Sequence, residues 1–286
     1  MGTVVLIATI LGVSLQNIVK KAYNVKVGGG AFAFSASSAL IAALFFIISS
    51  IGTFEYSNDF LLYSIGFSVF YSMGVAFSVL AIMEGPLSLT SLISSYSLVI
   101  PALYGIAFLG DEVDGLLIVG IILLLISLFF VNMEKKDDKK ITLKWIIFVF
   151  LAFVGNGGCS TVQTVQQTAL SGQYKNEFMI IALLITSITL FLAAFFTKER
   201  ENVTMSLKKG FIWYAICGIA NGAVNHFVMM MVSVYKMPAS VMFPLISAGG
   251  IIITVIVSMT LYKEKLTKYQ MLGVILGIGA IVLLNM

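Results

Sequence analysis

The chain alternates between long stretches without a single charged side chain and short stretches that hold all of them. Ten uninterrupted charge-free runs occupy residues 1–19, 27–54, 60–83, 85–110, 115–133, 145–174, 178–197, 210–235, 237–262 and 269–286, each 18 to 30 residues long. At about 1.5 Å of rise per residue, about 20 apolar residues cross a hydrocarbon core of roughly 30 Å. Strands of a membrane barrel alternate in polarity over about ten residues, whereas these runs are continuous and twice as long. The pattern therefore predicts an all-α membrane protein with ten transmembrane helices.

Composition narrows the function classes. Only 10% of the 286 residues are charged and 59% are hydrophobic, against about 25% charged in a soluble chain. A soluble enzyme is excluded, and so is a nucleic-acid partner, because loops this short build no basic face. The first run has no basic segment before it and is followed by Lys20 and Lys21, so it reads as a retained helix rather than a cleaved signal. Cys159 and Cys217 both fall inside charge-free runs, with neither disulfide nor zinc spacing, and read as small apolar groups. No cofactor motif is found.

Charge in the loops predicts orientation. The loops after runs one, five, seven and nine hold 15 Lys and Arg residues, and the opposite loops hold only Lys175 and Lys236. The positive-inside rule makes the 15-charge side cytoplasmic and places both termini outside, in what is expected to be a bacterial cytoplasmic membrane. Asn202-Val203-Thr204 matches a glycosylation acceptor but lies on the basic side, so the match is read as chance.

One hydrophilic stretch, 133–143, divides the runs into five and five, giving units 1–132 and 144–286 around a charged linker. A shift of 152 residues superposes Pro86 on Pro238, Ser88 on Ser240, Ser95 on Ser247, Leu109 on Leu261 and Glu112 on Glu264. A shift of 147 near the start of each half brings Gln16 onto Gln163 and Lys20 onto Gln167. Units with an odd number of spans cross the membrane in opposite senses. The expectation is two inverted-topology five-helix repeats, a plan in which the binding site lies near the midplane between the repeats.

Residues 76–124, with Pro101, Leu109, Gly110, Glu112 and Gly120, and their counterpart from Pro238, with Glu264 and Gly273, resemble the EamA-type domain of the drug/metabolite transporter superfamily. The second half departs from the pattern at Ile253, where Pro101 aligns, and at Tyr262-Lys263, where the family favours Leu-Gly. The resemblance implies a ten-helix metabolite transporter or exporter with a central cavity lined by helices one, three, four, six, eight and nine. It also implies cytoplasmic termini, opposite to the loop charges.

Polar side chains inside hydrocarbon face a bundle interior or a wet cavity, which selects the candidate solute-binding residues. In run six, Asn156, Ser160, Gln163 and Gln167 are spaced to share one helix face, either as a wall of the pathway or as interhelical glue. Gln16 and Lys20 occupy the matching face of run one. Lys20 can turn its ammonium toward a cavity or snorkel to the headgroups. Run eight supplies Asn221, Asn225 and His226, the only histidine, which either titrates in the pathway or bonds neutrally to a neighbour. Tyr71 and Tyr96 can stack on a ring or bond to a polar tip.

The remaining features read as structural. The serines of runs four and nine and the pairs Gly218/Gly222 and Gly273/Gly277 suit close packing within the chain or in a homodimer. Gly155-Asn156-Gly157-Gly158 either packs or unwinds locally. Met229–Met231, Met237 and Met242 read as filler or a pliable wall. Glu112 and Glu264 sit at helix ends, and Thr267 with Gln270 fits a capping box. No acid lies mid-span. A secondary transporter moving a small organic solute across the bilayer by alternating access is the leading expectation, as a monomer or homodimer. A membrane sensor or accessory subunit, or a lipid enzyme, is the alternative.

Overall fold

The computed structural model describes residues 1–85, 87–131, 141–261 and 267–284. Pro86, Tyr262, Lys263, Glu264 and most of the 133–143 linker lie outside them, so the first and last pairs of the 152-residue alignment have only one described member. Among the described residues there are helices and no strands. They are α1 (Gly2–Lys26), α2 (Ala31–Ser49), α3 (Leu61–Glu84), α4 (Leu87–Tyr96), α5 (Val99–Tyr104), α6 (Gly115–Val131), α7 (Leu143–Ala169), α8 (Lys175–Phe196), α9 (Val203–Lys209), α10 (Phe211–Ser233), α11 (Ala239–Leu261) and α12 (Lys268–Leu284). A π-helical turn, Gly105–Leu109, extends α5, and a 3₁₀ turn, Lys198–Asn202, precedes α9.

Among the described residues, eight helical segments are long and apolar enough to cross a membrane, and α6 and α12, at 17 residues, are shorter apolar helices. The fourth charge-free run folds as α4, α5 and the π-helical turn rather than as one helix. Pro101 lacks an amide proton, so the ladder cannot run through it. Ser97 and Leu98 form the break, with the Ser97 amide and the Ser97 Oγ both donating back to Ser94 O. Gly110, at φ 76°, closes the π-helical turn in the left-handed region that glycine adopts without strain.

Packing follows a reciprocal pattern. Helix α1 packs on α10 and α11, whereas α7 packs on α3 and on α4 and α5; α2 packs on α8, and α6 on α12. Helices α6 and α12 run antiparallel. A Cβ on Gly120 would touch Leu284, one on Gly277 would touch Ser127, and one on Gly273 would touch Val131. Ser127 Oγ donates to Gly273 O at 2.6 Å across the same contact.

With no hydrophobic force between helices in lipid, close approach and polar links hold such a bundle. Helix α7 is continuous through Gly155, Gly157 and Gly158, so these glycines serve packing, not unwinding. A Cβ on Gly155 would lie 2.3 Å from Gly74 N, and one on Gly157 would lie 2.6 Å from Ser97 O. Gly218 and Gly222 likewise receive Ile41 and Phe45 of α2. Serines supply the links: Ser64 donates to Phe178 O, Ser187 to Ala36 O and Ser14 to Gly250 O, at 3.0, 2.9 and 3.2 Å. Met229, Met231 and Met242 are fully buried filler.

Candidate functional site: a neutral cavity between the helices

A cavity of about 260 Å³ lies where α1, α4, α7, α10 and α11 converge. Asn17, Ser94, Ser95, Ser160, Gln163, Asn225 and Ser247 supply its polar wall, and Val13, Leu98, Val224, Val228, Phe243 and Ile246 its apolar wall. No lining side chain is charged. Such a surface offers donors and acceptors to hydroxyls, amides and carbonyls but no counter-ion.

A relay of amides stiffens one side. Gln163 Nε2 donates to Asn225 Oδ1 at 3.1 Å, Asn225 Nδ2 donates to Asn221 Oδ1 at 2.8 Å, and Asn221 Nδ2 donates to Tyr71 Oη at 3.1 Å. The i, i+4 spacing on α10 stacks the two asparagines. The relay thereby joins α7, α10 and α3. Tyr71 does not line the cavity; its ring stacks on Phe67, with centroids 5.5 Å apart, and its hydroxyl fixes Asn221 from behind. Helix three therefore reaches the site through a hydrogen bond rather than as a wall.

The other sequence candidates are placed elsewhere. Gln16 is half-buried and Lys20 exposed on α1; Lys20 follows Val13 by seven residues and so shares its face. Asn156 is half-buried where α7 crosses α3, its Oδ1 2.5 Å from the position of a Cβ on Gly74. Gln167 is fully buried and joined to Gln166, and Gln167 O and Gln166 Nε2 tie down the following turn at Gly172 N and Gln173 O. Tyr96 donates to Leu125 O at 2.8 Å, facing α6. His226 is rotated away from the cavity by the 100° that separates it from Asn225, and its ring lies among Phe45, Phe46 and Phe227.

Asn17, Ser94 and Ser95 are wall residues that the sequence reading did not select as binding residues. For Asn17 the usable signal was its i+4 relation to Val13 and its alignment, by the 147 shift, with Thr164. A second cavity of about 840 Å³ opens at one end of the bundle, lined by Asp111, Glu112, Asp114, Lys236, Thr164 and Thr168 among others. Thr164 and Ser160 are one turn apart on α7, as are Val232 and Val228 on α10, so the two cavities succeed one another along shared helix faces. The acids here start helices. Asp111 Oδ2 accepts from Ser240 N of α11 at 2.8 Å, and Asp114 Oδ1 from Leu117 N of α6 at 2.7 Å. Glu112 itself is exposed at the mouth, and the capping falls to its neighbours. Thr267 and Gln270 exchange the two bonds of a capping box at 3.0 and 3.2 Å. Among the described residues no three His, Cys, Asp or Glu side chains converge as metal ligands would.

Comparison with known proteins bears on the fold and the family. Among 28 solved chains with matching structures, one described as "Crystal structure of protein" aligns at a TM-score of 0.77 and 10% identity, over 99% of this chain and 98% of that one. At that identity the likeness concerns the fold alone. No curated protein matches the chain. The model of the EamA-like transporter family matches residues 143–286, half of the molecule, which contains α7, α10 and α11 of the cavity wall. A multi-pass helical membrane protein with this match belongs to the EamA-like transporter family.

Proposed function

We propose that the protein is a secondary transporter that moves a small, net-neutral organic solute by alternating access around the central cavity. The observation that carries this reading is the pairing of cavity residues across the two halves. Val13 and Ser160 are 147 residues apart; Ser94 and Ile246, Ser95 and Ser247, and Leu98 and Gly250 are each 152 apart; all eight line the same cavity. Equivalent residues meet only near an axis relating the halves, and the antiparallel course of α6 and α12 fits an axis lying in the membrane plane.

On this reading ten spans form two inverted five-helix repeats, with α6 and α12 at the lower end of spanning length. Gln163, Asn225, Asn17 and Ser160 contact the solute, and Tyr71 and Asn221 position Asn225. Gln16 and Lys20, on the Val13 face of α1, belong to the pathway beyond the cavity. The chain sits in the bacterial cytoplasmic membrane with its termini outside. A net charge on the solute would be left without a partner in an uncharged, largely apolar site, at a cost of several kcal/mol.

Purified protein in liposomes is expected to equilibrate labelled neutral solutes without ATP. Absence of flux across a broad panel of neutral metabolites would overturn the proposal, as would flux confined to charged ones.

A further inference from the structure

Between α4, α5, α6 and α7 the wall of the bundle carries a groove of about 530 Å³, lined by Tyr96, Val99, Leu125, Phe129, Phe130 and Phe153. Register sets its depth. Tyr96 lies three residues from the middle of the apolar span Leu89–Leu109, and Phe153 three from the middle of Leu143–Ala169, so both lie within roughly 5 Å of mid-span at 1.5 Å per residue. Phe129 and Phe130 lie two residues and one residue from the end of α6, so the groove runs from mid-span toward one end of the bundle, and its inner part faces hydrocarbon. Among the groove's described lining residues the one polar side-chain atom, the Tyr96 hydroxyl, already donates to Leu125 O. What fits is therefore an alkyl chain.

A single residue, Val99, separates the groove from a small void further inward. Val99 also lines this void of about 10 Å³, bounded by Leu124 and Pro244, which lies on the line from the groove to the central cavity. Ser95, Leu98 and Ser247 of that void belong equally to the central cavity. Ten cubic ångströms holds about one water, so the way through is closed in this conformation. The void lies beside Ser97 and Leu98, where the fourth span is broken, and Pro101 leaves that break without a continuous backbone ladder. The Tyr96–Leu125 hydrogen bond ties α4 to α6 next to it.

We propose that this groove is a lateral portal, admitting an amphipathic solute whose alkyl tail occupies the groove while its uncharged polar head reaches the central cavity. The proposal rests on the reading of that cavity as the solute site. Opening requires the Tyr96–Leu125 tie to release and α5 to swing at the break. A phospholipid does not meet the requirement, because its ionised headgroup stays at the membrane surface and only its tail can reach this depth.

The test uses the full chain in lipid nanodiscs and two photoreactive decanol probes, one with a diazirine at the chain end and one with it beside the hydroxyl. The chain-end probe is expected to label Phe129, Phe130 or Phe153 about tenfold over lipid-facing Ile7 and Ile188, roughly 1.4 kcal/mol of preference. The hydroxyl-end probe is expected to label the segments around Leu98 or Ser247. Val99→Phe should abolish the hydroxyl-end labels while sparing the chain-end ones, and Tyr96→Phe should raise the hydroxyl-end labels; should Val99→Phe not fold, Tyr96→Phe carries the test. Even labelling of all lipid-facing residues would overturn the portal. So would chain-end enrichment with the hydroxyl-end labels confined to helix termini, the signature of a resident lipid. Labelling reads occupancy and liposome flux reads transport, so failure of the portal and failure of the transporter reading are separate outcomes.

Discussion

Gln163 holds Asn225 by two contacts at the edge of the central cavity, its Nε2 lying 3.1 Å from Asn225 Oδ1 and 3.2 Å from Asn225 O. The same amide thus joins α7 to α10, and the residue belongs to the polar wall of the cavity. Gln163→Leu removes both functions while keeping the side chain's approximate volume. Flux in liposomes is expected to fall about tenfold or more, the equivalent of roughly 1.4 kcal/mol for one lost polar contact. The melting temperature, measured on the same preparation, should fall only slightly. Unchanged flux would reduce this face of α7 to scaffold.

The relay makes a sharper prediction for the pair behind the wall. Tyr71→Phe keeps the stacking on Phe67 and deletes the acceptor of Asn221 Nδ2. Polar pairs between membrane helices average about 0.6 kcal/mol in double-mutant cycles, with a maximum of about 1.7. A cycle of Tyr71→Phe and Asn221→Leu, read by unfolding in detergent, should give a coupling within that range. A coupling of zero would show that the two side chains act independently.

Close packing is tested at α7. A methyl on Gly155 would meet backbone atoms of Gly74, which cannot rotate away, so α3 and α7 would have to separate. Gly155→Ala is expected to cost about 1–3 kcal/mol of unfolding free energy, the range for overpacking. A methyl on Gly115 would meet nothing within 4 Å. Gly115→Ala should therefore change stability by less than about 0.5 kcal/mol.

How much of this was legible in the residues depends on the kind of information each needs. Absence of charge located the helices, since a mid-bilayer ion is expensive wherever the helix sits. Pro101 was visible, but the break at Ser97 and Leu98 was not, because it also depends on how Gly157 of α7 packs against Ser97 O. Periodicity groups Gln163 with its face of α7 and Asn221 with Asn225 on α10, and the structure joins the three in one hydrogen-bonded relay. It does not choose between the two readings of His226, because a single residue step turns the side chain from the cavity to α2, and sequence alone does not say which neighbour each face meets. Asp111 is not legible as a cap in the sequence, because the amide it caps belongs to Ser240, 129 residues away.

The position of His226 makes its own prediction. Its Nδ1 is buried without a hydrogen-bond partner, and three phenylalanines surround the ring. An aromatic of similar size without polar atoms suits that pocket at least as well, since an unpaired buried polar atom costs about 1–3 kcal/mol. His226→Phe is expected to raise or preserve the melting temperature and to leave the pH profile of flux unchanged. A flux that loses its pH dependence in this variant would return the histidine to the pathway.

Orientation is decided by the ends of the chain. Fifteen Lys and Arg residues lie in one set of loops and two in the other, and at about 1 kcal/mol for each basic residue near an anionic leaflet the bias is large. Removing Lys20 and Lys21 from the count, because they sit at a helix end, leaves 13 against 2. A reporter fused after Met286 is therefore expected to be active only when it requires the outer face, and a cysteine placed at Gly52, in the loop of opposite charge, should react with impermeant reagents from the same side. The family resemblance predicts the reverse for both. Cytoplasmic activity of the C-terminal reporter, together with protection of position 52 from external reagent, would overturn the orientation drawn from the loop charges. The paired cavity residues would be untouched, since inverting the molecule exchanges the two repeats and leaves the axis between them in place.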